Sequence, residues 1–363
     1  MRNSNLKSVL AVLFLFLFAT CQDKTILSEK ESELYAIKKF EFDDFQKEKT
    51  LSGNKLIIPQ LQYPDLVLVL EDYLVISETK SDTFFHILNK QNFDYIRKTG
   101  KAGIAPNELK TSSTLFKTDK KNQFWGYSLS GKTLAKYNAI DTFATSIEEV
   151  KPKNNEMYLA SKIVPSSTHS FLSTRNNGDE KFVEFSFDGQ ILNTFGSWQD
   201  MLNMNDIPSN VISSLLQGKL VANEAKTHFA LVCLEADIIE ILDIKTGKTI
   251  SVRGPLHHVP KFTVDYGAGY AMCALDFDDV IYKYIDATIF NNKIYAGFSG
   301  HSFETIDINK EDKFVEQIFV FDLDGNPLIR YNLDHSIKHF TVDEDRIYAI
   351  TYDENPGLVV FDL

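Results

Sequence analysis

The chain has 363 residues and a formal net charge of −12, with 50 acidic and 38 basic residues. Its 44% hydrophobic content is ordinary for a folded protein, which argues against a disordered chain. No cluster of Lys and Arg indicates a nucleic-acid partner. The 28 Phe and 15 Tyr favour β-strands, because aromatic side chains suit a pleated, half-buried surface.

The amino terminus has the pattern of a bacterial lipoprotein signal. Arg2 and Lys7 precede an apolar run over residues 9–19. Cys21 follows this run, directly after Ala19 and Thr20. The run has the length of a signal-peptide core and is too short to span a bilayer. We therefore predict a signal peptide over 1–20 and acylation of Cys21. Ordinary secretion with a free cysteine, or an uncleaved anchor, is the alternative.

The segment behind Cys21 is polar. Residues 21–35 are hydrophilic apart from Ile26 and Leu27, so we expect a flexible tether followed by one domain over 36–363. Acyl chains on the cysteine would make attachment to a membrane stable. In some bacteria an Asp directly after the cysteine keeps a lipoprotein in the inner membrane. Here that residue is Gln22, which favours the outer membrane. We expect a lipid-anchored monomer in the cell envelope of a Gram-negative bacterium, at the outer membrane.

From about residue 40 the hydrophobic pattern has the period of β-strands. Leu66–Leu70 is apolar at every position, and three further strand-sized pieces follow it, joined by polar turns as in an antiparallel meander. Similar groups of three or four strands recur along the chain. Their ranges are 66–97, 115–137, 170–195, 228–253, 287–331 and 337–362. Such repeats predict the blades of a β-propeller.

The sixth group has only three strands, so we expect a strand from the amino-terminal part of the domain to complete it and cover its edge. Ala36–Phe42 and Lys55–Ile58 both suit this role. The predicted fold is thus an all-β, six-bladed propeller of four-stranded antiparallel blades. Seven blades remain the alternative, because Pro255–Tyr284 is long enough to hold further strands. The pattern over Gln199–Gly218 predicts a helical excursion between blades three and four.

Two stretches resemble a known family. Pro64–Ser77, leading into the loop Thr99–Leu109, and the aromatic strand of Asn292–Gly300 are similar to motifs of the TolB-like six-bladed propeller lipoproteins. The resemblance implies a propeller in the cell envelope and carries over no catalytic residues. In the loop we predict a structural bridge between the first two blades, with Gly100 turning the chain and Glu108 capping neighbouring amides.

One long connection contains the candidate binding residues. His257 and His258 are followed by Tyr266 and Tyr270, in a segment long enough to cover one mouth of the ring. We predict that this surface takes part in non-catalytic binding of a protein, a peptide or a glycan. No spacing in the chain matches a metal site, a phosphate-binding loop or a catalytic triad. The sequence therefore indicates no catalytic residue, no metal and no cofactor.

An enzyme is the alternative function. Some six-bladed propellers are calcium-dependent hydrolases or lactonases that use the central channel, where acidic and amide side chains from the innermost strands hold the ion. The innermost strands predicted here are largely apolar or carry Thr and Ser, which disfavours that chemistry. Convergence of three acidic or amide side chains at the axis would favour it.

Two cysteines remain besides Cys21. Cys233 follows Leu-Val and Cys273 follows Ala-Met, both in apolar strands. An exported protein can hold a disulfide, and free thiols also pack well in such strands. The sequence leaves both states open.

Overall fold

The computed structural model describes residues 34–202, 204, 206–303 and 314–363. The predicted signal peptide, Cys21 and almost all of the predicted tether lie outside these residues. The described chain is an all-β fold in which successive antiparallel meanders form the blades of a propeller. The first strand of each meander lies at the axis of the ring.

Three strands precede the first blade, and blades 1 to 3 are four-stranded. The early strands are β1 (Tyr35–Lys39), β2 (Lys47–Leu51) and β3 (Gly53–Leu56). Blade 1 contains β4 (Pro64–Val69), β5 (Tyr73–Glu78), β6 (Thr83–Asn89) and β7 (Tyr95–Lys101). Blade 2 contains β8 (Thr114–Lys117), β9 (Gln123–Ser128), β10 (Thr133–Asn138) and β11 (Glu148–Val150). Blade 3 contains β12 (Ala160–Pro165), β13 (Ser170–Arg175), β14 (Glu180–Ser186) and β15 (Ile191–Ser197).

Two insertions flank blade 4. The first holds the short helices α1 (Gln199–Leu202) and α2 (Ser209–Leu215), and the second holds the hairpin of β20 (Phe262–Asp265) and β21 (Met272–Leu275). Blade 4 contains β16 (Gly218–Ala222), β17 (His228–Cys233), β18 (Ile238–Asp243) and β19 (Thr249–Arg253). Blade 5 contains β22 (Tyr284–Phe290), β23 (Lys293–Phe298), β24 (Val315–Asp322) and the first part of β25 (Pro327–Val342). Blade 6 contains the second part of β25, β26 (Arg346–Thr351), β27 (Leu358–Asp362) and β3.

The amino-terminal strands lie along the outer edges of three blades. β3 pairs antiparallel with β27 and completes blade 6, so an amino-terminal strand closes the ring as predicted; of the two candidates it is the second, with the strand at Gly53–Leu56 and not Lys55–Ile58. The other candidate, Ala36–Phe42, lies elsewhere: β1 adds a parallel fifth strand to β19 of blade 4, and β2 adds one to β25 of blade 5. One continuous segment therefore protects the outer edges of blades 4, 5 and 6.

The core confirms the count of six blades. A hydrophobic cluster fills each of the six interfaces between neighbouring blades, including the interface of blade 6 with blade 1, where Tyr348 and Ile350 pack with Val69 and Leu74. The connection that could have held a seventh blade contains two strands, which form the hairpin β20–β21, and no four-stranded sheet. All six interfaces lie within residues 34–363, so the ring is complete without the residues before Leu34.

Three strands differ from the sequence-based expectation. β11, β12 and β16 were absent from the predicted groups, and two of them are innermost strands. Lys162 and Lys219 interrupt β12 and β16, so these strands lack the continuous apolar pattern that reveals β4. Apart from these lysines, both strands contain only apolar residues, Gly and Ser, so the expectation that innermost strands are largely apolar or bear Thr and Ser still describes them.

Candidate functional site

The two ends of the propeller differ. In blade 4, β16 begins at Gly218 beside Cys233, and β19 ends at Arg253 beside Ile238. The connection 254–283 therefore leaves and returns at the end where the innermost strands begin, which we call the hairpin end. At the opposite end, which we call the turn end, the innermost strands finish in short turns.

His257 and His258 lie at the start of this connection and take different partners. The Nε2 atom of His258 is 2.8 Å from the carbonyl oxygen of Asp279. The exposed ring of His257 faces Glu41, with 3.7 Å between Nε2 and Oε1. The two rings therefore point to separate partners, and His258 joins the start of the connection to the turn near its end that contains Asp279.

Tyr266 and Tyr270 share the turn of the hairpin β20–β21. The amide of Gly269 donates a hydrogen bond to the carbonyl of Tyr266 at 3.0 Å, which closes the turn. The two tyrosines are 63% and 62% exposed, and Leu256 and Phe277 of the same connection are also exposed. The structure thus brings the two predicted tyrosines together and leaves the two histidines at the base of the connection.

A group of buried ionisable residues, which no sequence motif indicates, lies beneath the connection. Glu235 and Asp237 are in the turn between β17 and β18, and Lys283 precedes β22; all three are buried. Asp237 accepts hydrogen bonds from the Leu256 amide and the Tyr284 hydroxyl, each at 2.9 Å. Burial raises the pKa of Glu235 to about 7 and lowers the pKa of Lys283 to about 8. These groups join blades 4 and 5 to the base of the connection.

A cavity of about 490 Å³ lies at the axis of the ring. All six innermost strands line it, through Leu68, Phe116, Val164, Leu220, Ile289 and Phe340. Asp119, Glu224 and Asn291, from turns that follow three of these strands, also line the cavity, so it reaches the turn end. Its volume falls in the range of small-molecule sites, roughly 300–1,000 Å³.

The two carboxylates on the innermost strands are paired with cations. Asp286 lies 3.2 Å from the Nζ atom of Lys219, and Asp65 lies 3.3 Å from that of Lys338. His339 is next to Asp286, and burial lowers the pKa of His339 to about 4, so its ring is neutral near pH 7. A calcium site needs several oxygen ligands that are free to converge on the ion. The pairing of these carboxylates with lysines disfavours such a site.

The acidic turn at 276–279 is also internally bonded. Asp279 accepts a hydrogen bond from the Lys261 amide at 2.8 Å, and Asp276 accepts one from the Asp278 amide at 3.3 Å. Among residues 34–202, 204, 206–303 and 314–363, no group of three or more His, Cys, Asp or Glu side chains could hold a metal ion. In that same part of the chain, no helix is long and apolar enough to cross a membrane.

The loop after blade 1 has the geometry of a structural bridge. Gly100 has a φ of 82°, and a Cβ atom there would lie 2.2 Å from the Phe85 ring. Glu108 accepts a hydrogen bond from the Ala105 amide at 3.2 Å, as predicted, and Leu109 is fully buried in the cluster between blades 1 and 2. The loop therefore seals this interface.

The two described cysteines are free thiols that pack in one hydrophobic cluster. Cys233 is fully buried, and its thiol donates a hydrogen bond to the Leu216 carbonyl at 3.4 Å. Burial raises the pKa of both thiols, that of Cys273 to about 11, so both stay protonated at neutral pH. Of the two states left open by the sequence, the structure shows the unpaired one.

A closed ring of six four-stranded blades defines the class of six-bladed β-propellers. The profile of a family described as TolB-like 6-blade propeller-like matches residues 41–345. The chain therefore belongs to the TolB-like six-bladed propeller family, as its motifs indicated.

Two solved structures share this fold. One is a Bacteroides fragilis protein whose name describes it as exported; it has a TM-score of 0.54 and 13% identity, over 90% of this chain and 99% of that one. The other is a member of the duf4221 family from Bacteroides vulgatus, with a TM-score of 0.55 and 9% identity, over 86% of this chain and 96% of that one. No match was found among curated proteins. At such identities the likeness shows the fold alone.

Proposed function

We propose that this protein is a cell-envelope lipoprotein, anchored through Cys21, whose non-catalytic propeller binds a protein, a peptide or a glycan at the hairpin end. The observation that carries the proposal is the exposure of Tyr266 and Tyr270 on one projecting hairpin. Tyrosine rings are concentrated at binding surfaces, because each offers a large contact area and a polar tip at a small entropic penalty.

The base of the hairpin is firmly held, which favours binding. Phe262 and Leu275 pack against the cluster between blades 3 and 4. The side-chain amide of Asn210, in α2, donates a hydrogen bond to the Ala271 carbonyl. A surface that is already ordered loses less conformational entropy when it binds a partner. The tyrosines are therefore presented on a fixed support.

The entry point of the chain suits an anchor on the opposite side. β1 runs parallel to β19, with Tyr35 paired to Thr249 at the turn end. A tether from Cys21 would thus reach the propeller at the turn end and leave the hairpin end pointing away from the membrane. The exported Bacteroides fragilis relative supports a location outside the cytoplasm. We propose the outer membrane as the site of attachment.

Replacing Tyr266 and Tyr270 together with alanine is expected to abolish partner capture by the propeller. Residues 34–363, immobilised and incubated with cell-envelope extract, should retain a partner whose recovery falls at least about tenfold in the double variant, because buried aromatic contacts dominate such interfaces. The matched control is Tyr158→Ala, since Tyr158 is 67% exposed and lies outside the hairpin. Equal recovery with the double variant would refute a binding role for the hairpin.

Replacing Cys21 with serine is expected to release the protein from membranes, because serine does not accept the acyl chains. Fractionation of cells that express the wild type or the variant measures this directly. The wild type should sediment with membranes and the variant should appear in the soluble envelope fraction. Co-sedimentation of both proteins would rule out the lipid anchor and leave the capture experiment unaffected.

A further inference from the structure

A cleft between blades 2 and 3 opens at the turn end. Its volume is about 110 Å³, and it shares Phe116, Lys117, Pro165 and Lys226 with the axial cavity, so the two spaces adjoin. The cleft is on the opposite side of the propeller from the hairpin. Its function is therefore separate from that of the exposed tyrosines.

Lysines surround this cleft, although the whole chain is acidic. Lys226 pairs with Asp119, and Lys136 pairs with Glu148. Within the described ranges, no carboxylate lies within ion-pair distance of Lys117 or Lys120. Burial lowers the pKa of Lys117, while the charges of Glu224 and Asp343 act in the opposite direction from beyond ion-pair distance. The Lys117 side chain is exposed where it lines the cavity, and it lacks a bonded counterion among the described residues.

The wall beside these lysines is aromatic. Phe171 and Phe187 are stacked with ring centroids 6.1 Å apart, and Trp125 meets Phe187 edge-on at 5.9 Å. The ammonium of Lys136 lies over the Trp125 ring, 4.5 Å from its centroid. Lys117, the lysine without a bonded counterion, lines the same cleft as this aromatic wall. Such a site suits a ligand with an anionic group and an apolar body.

We propose that the cleft and the adjoining axial cavity bind a small organic anion, with Lys117 contacting the anionic group and the half-buried Phe187, backed by the buried Phe171 and Trp125, contacting the apolar body. A concave site with low-dielectric walls concentrates the field of its lysines and attracts an anion despite the net charge of the chain. The ligand supplies the counterion that Lys117 lacks. Lys120, which also lines the cleft and is exposed, adds a second attraction that solvent screens.

Two dyes with the same kind of apolar body test this proposal. Anilinonaphthalene sulfonate is anionic, and N-phenylnaphthylamine lacks the sulfonate; fluorescence titration of residues 34–363 gives the affinity for each. Lys117→Gln is expected to weaken sulfonate binding about tenfold, which is the loss of one charge-assisted contact, and to leave binding of the neutral dye unchanged. Lys117→Arg should keep sulfonate affinity within about twofold of the wild type, because the charge is retained.

The control variant is Lys245→Gln, which removes an exposed lysine from another turn at the same end. It is expected to bind both dyes like the wild type. Equal sulfonate affinity of the wild type and Lys117→Gln would overturn the proposal. An equal loss in Lys245→Gln would also overturn it, because the effect would then come from the overall charge.

Discussion

Replacing Lys181 with methionine is expected to lower the free energy of unfolding by about 3–5 kcal/mol. Lys181 of β14 and Glu240 of β18 are both fully buried, and their charged groups are 2.6 Å apart across the interface of blades 3 and 4. Methionine fills a similar space but leaves the Glu240 carboxylate buried without its cation. Urea denaturation of residues 34–363, with linear extrapolation to water, measures the loss.

A double variant separates charge from packing. In the wild type the Tyr35 hydroxyl donates a hydrogen bond to Oε1 of Glu240 at 3.1 Å. Glu240→Gln removes the negative charge and keeps an oxygen that can accept this hydrogen bond. The combination of Lys181→Met with Glu240→Gln is expected to recover at least half of the stability lost in the single variant, since no uncompensated charge remains. If the double variant is as unstable as Lys181→Met alone, the loss comes from packing, and the electrostatic argument is wrong.

This ion pair also explains how the amino-terminal strand is fixed to the ring. Tyr35 is in β1, and its ring lies 5.1 Å from the Lys181 ammonium, in addition to its hydrogen bond with Glu240. Burial raises the pKa of Tyr35, so its hydroxyl keeps its proton and acts as a donor. The strand that follows the proposed tether is thus joined to blades 3 and 4 by one buried polar cluster.

The fold was largely predictable because local signals repeat. Strands with one apolar face alternate with short turns, and this alternation marks the meanders. Asp324-Gly325 is one such turn, in which Gly325 has a φ of 80°. The closing strand was predictable because the sixth group of strands in the sequence has only three members. β12 and β16 were missed, since Lys162 and Lys219 interrupt their apolar pattern. Strands that line a water-accessible axis need not be apolar.

The candidate site was predictable only where its residues are close in sequence. Tyr266 and Tyr270 were identified because they share one long connection. Lys181 and Glu240 are 59 positions apart, and nothing in the sequence of either strand marks a buried charge. Six strands spread over the chain line the axial cavity. The ion pair of Asp286 with Lys219 therefore forms only when the ring closes.

Replacing Glu235 with glutamine is expected to stabilise the protein above neutral pH and to have a much smaller effect at pH 5. Burial raises the pKa of Glu235 from the ordinary value of 4.5 to about 7. As pH rises from about 4.5 to about 7, the unfolded chain releases this proton while the folded chain keeps it, so stability falls across that window and stays lower above it. At roughly 1.4 kcal/mol per pKa unit, the penalty at pH 8 is about 3 kcal/mol.

Urea denaturation of the wild type and Glu235→Gln at pH 5 and pH 8 tests this expectation. One carboxylate oxygen of Glu235 is buried and has no hydrogen-bond partner among the described residues, so a neutral amide of the same size removes an uncompensated charge. His339 has a lowered pKa and gives the opposite slope, with stability lost as pH falls below about 6.5, but it contributes equally to both proteins. Glu224→Gln, at an exposed position, is the control and should leave stability unchanged at both pH values. A gain of equal size at pH 5 and pH 8 would contradict the raised pKa of Glu235, because the gain would then come from the amide itself and not from removal of a buried charge.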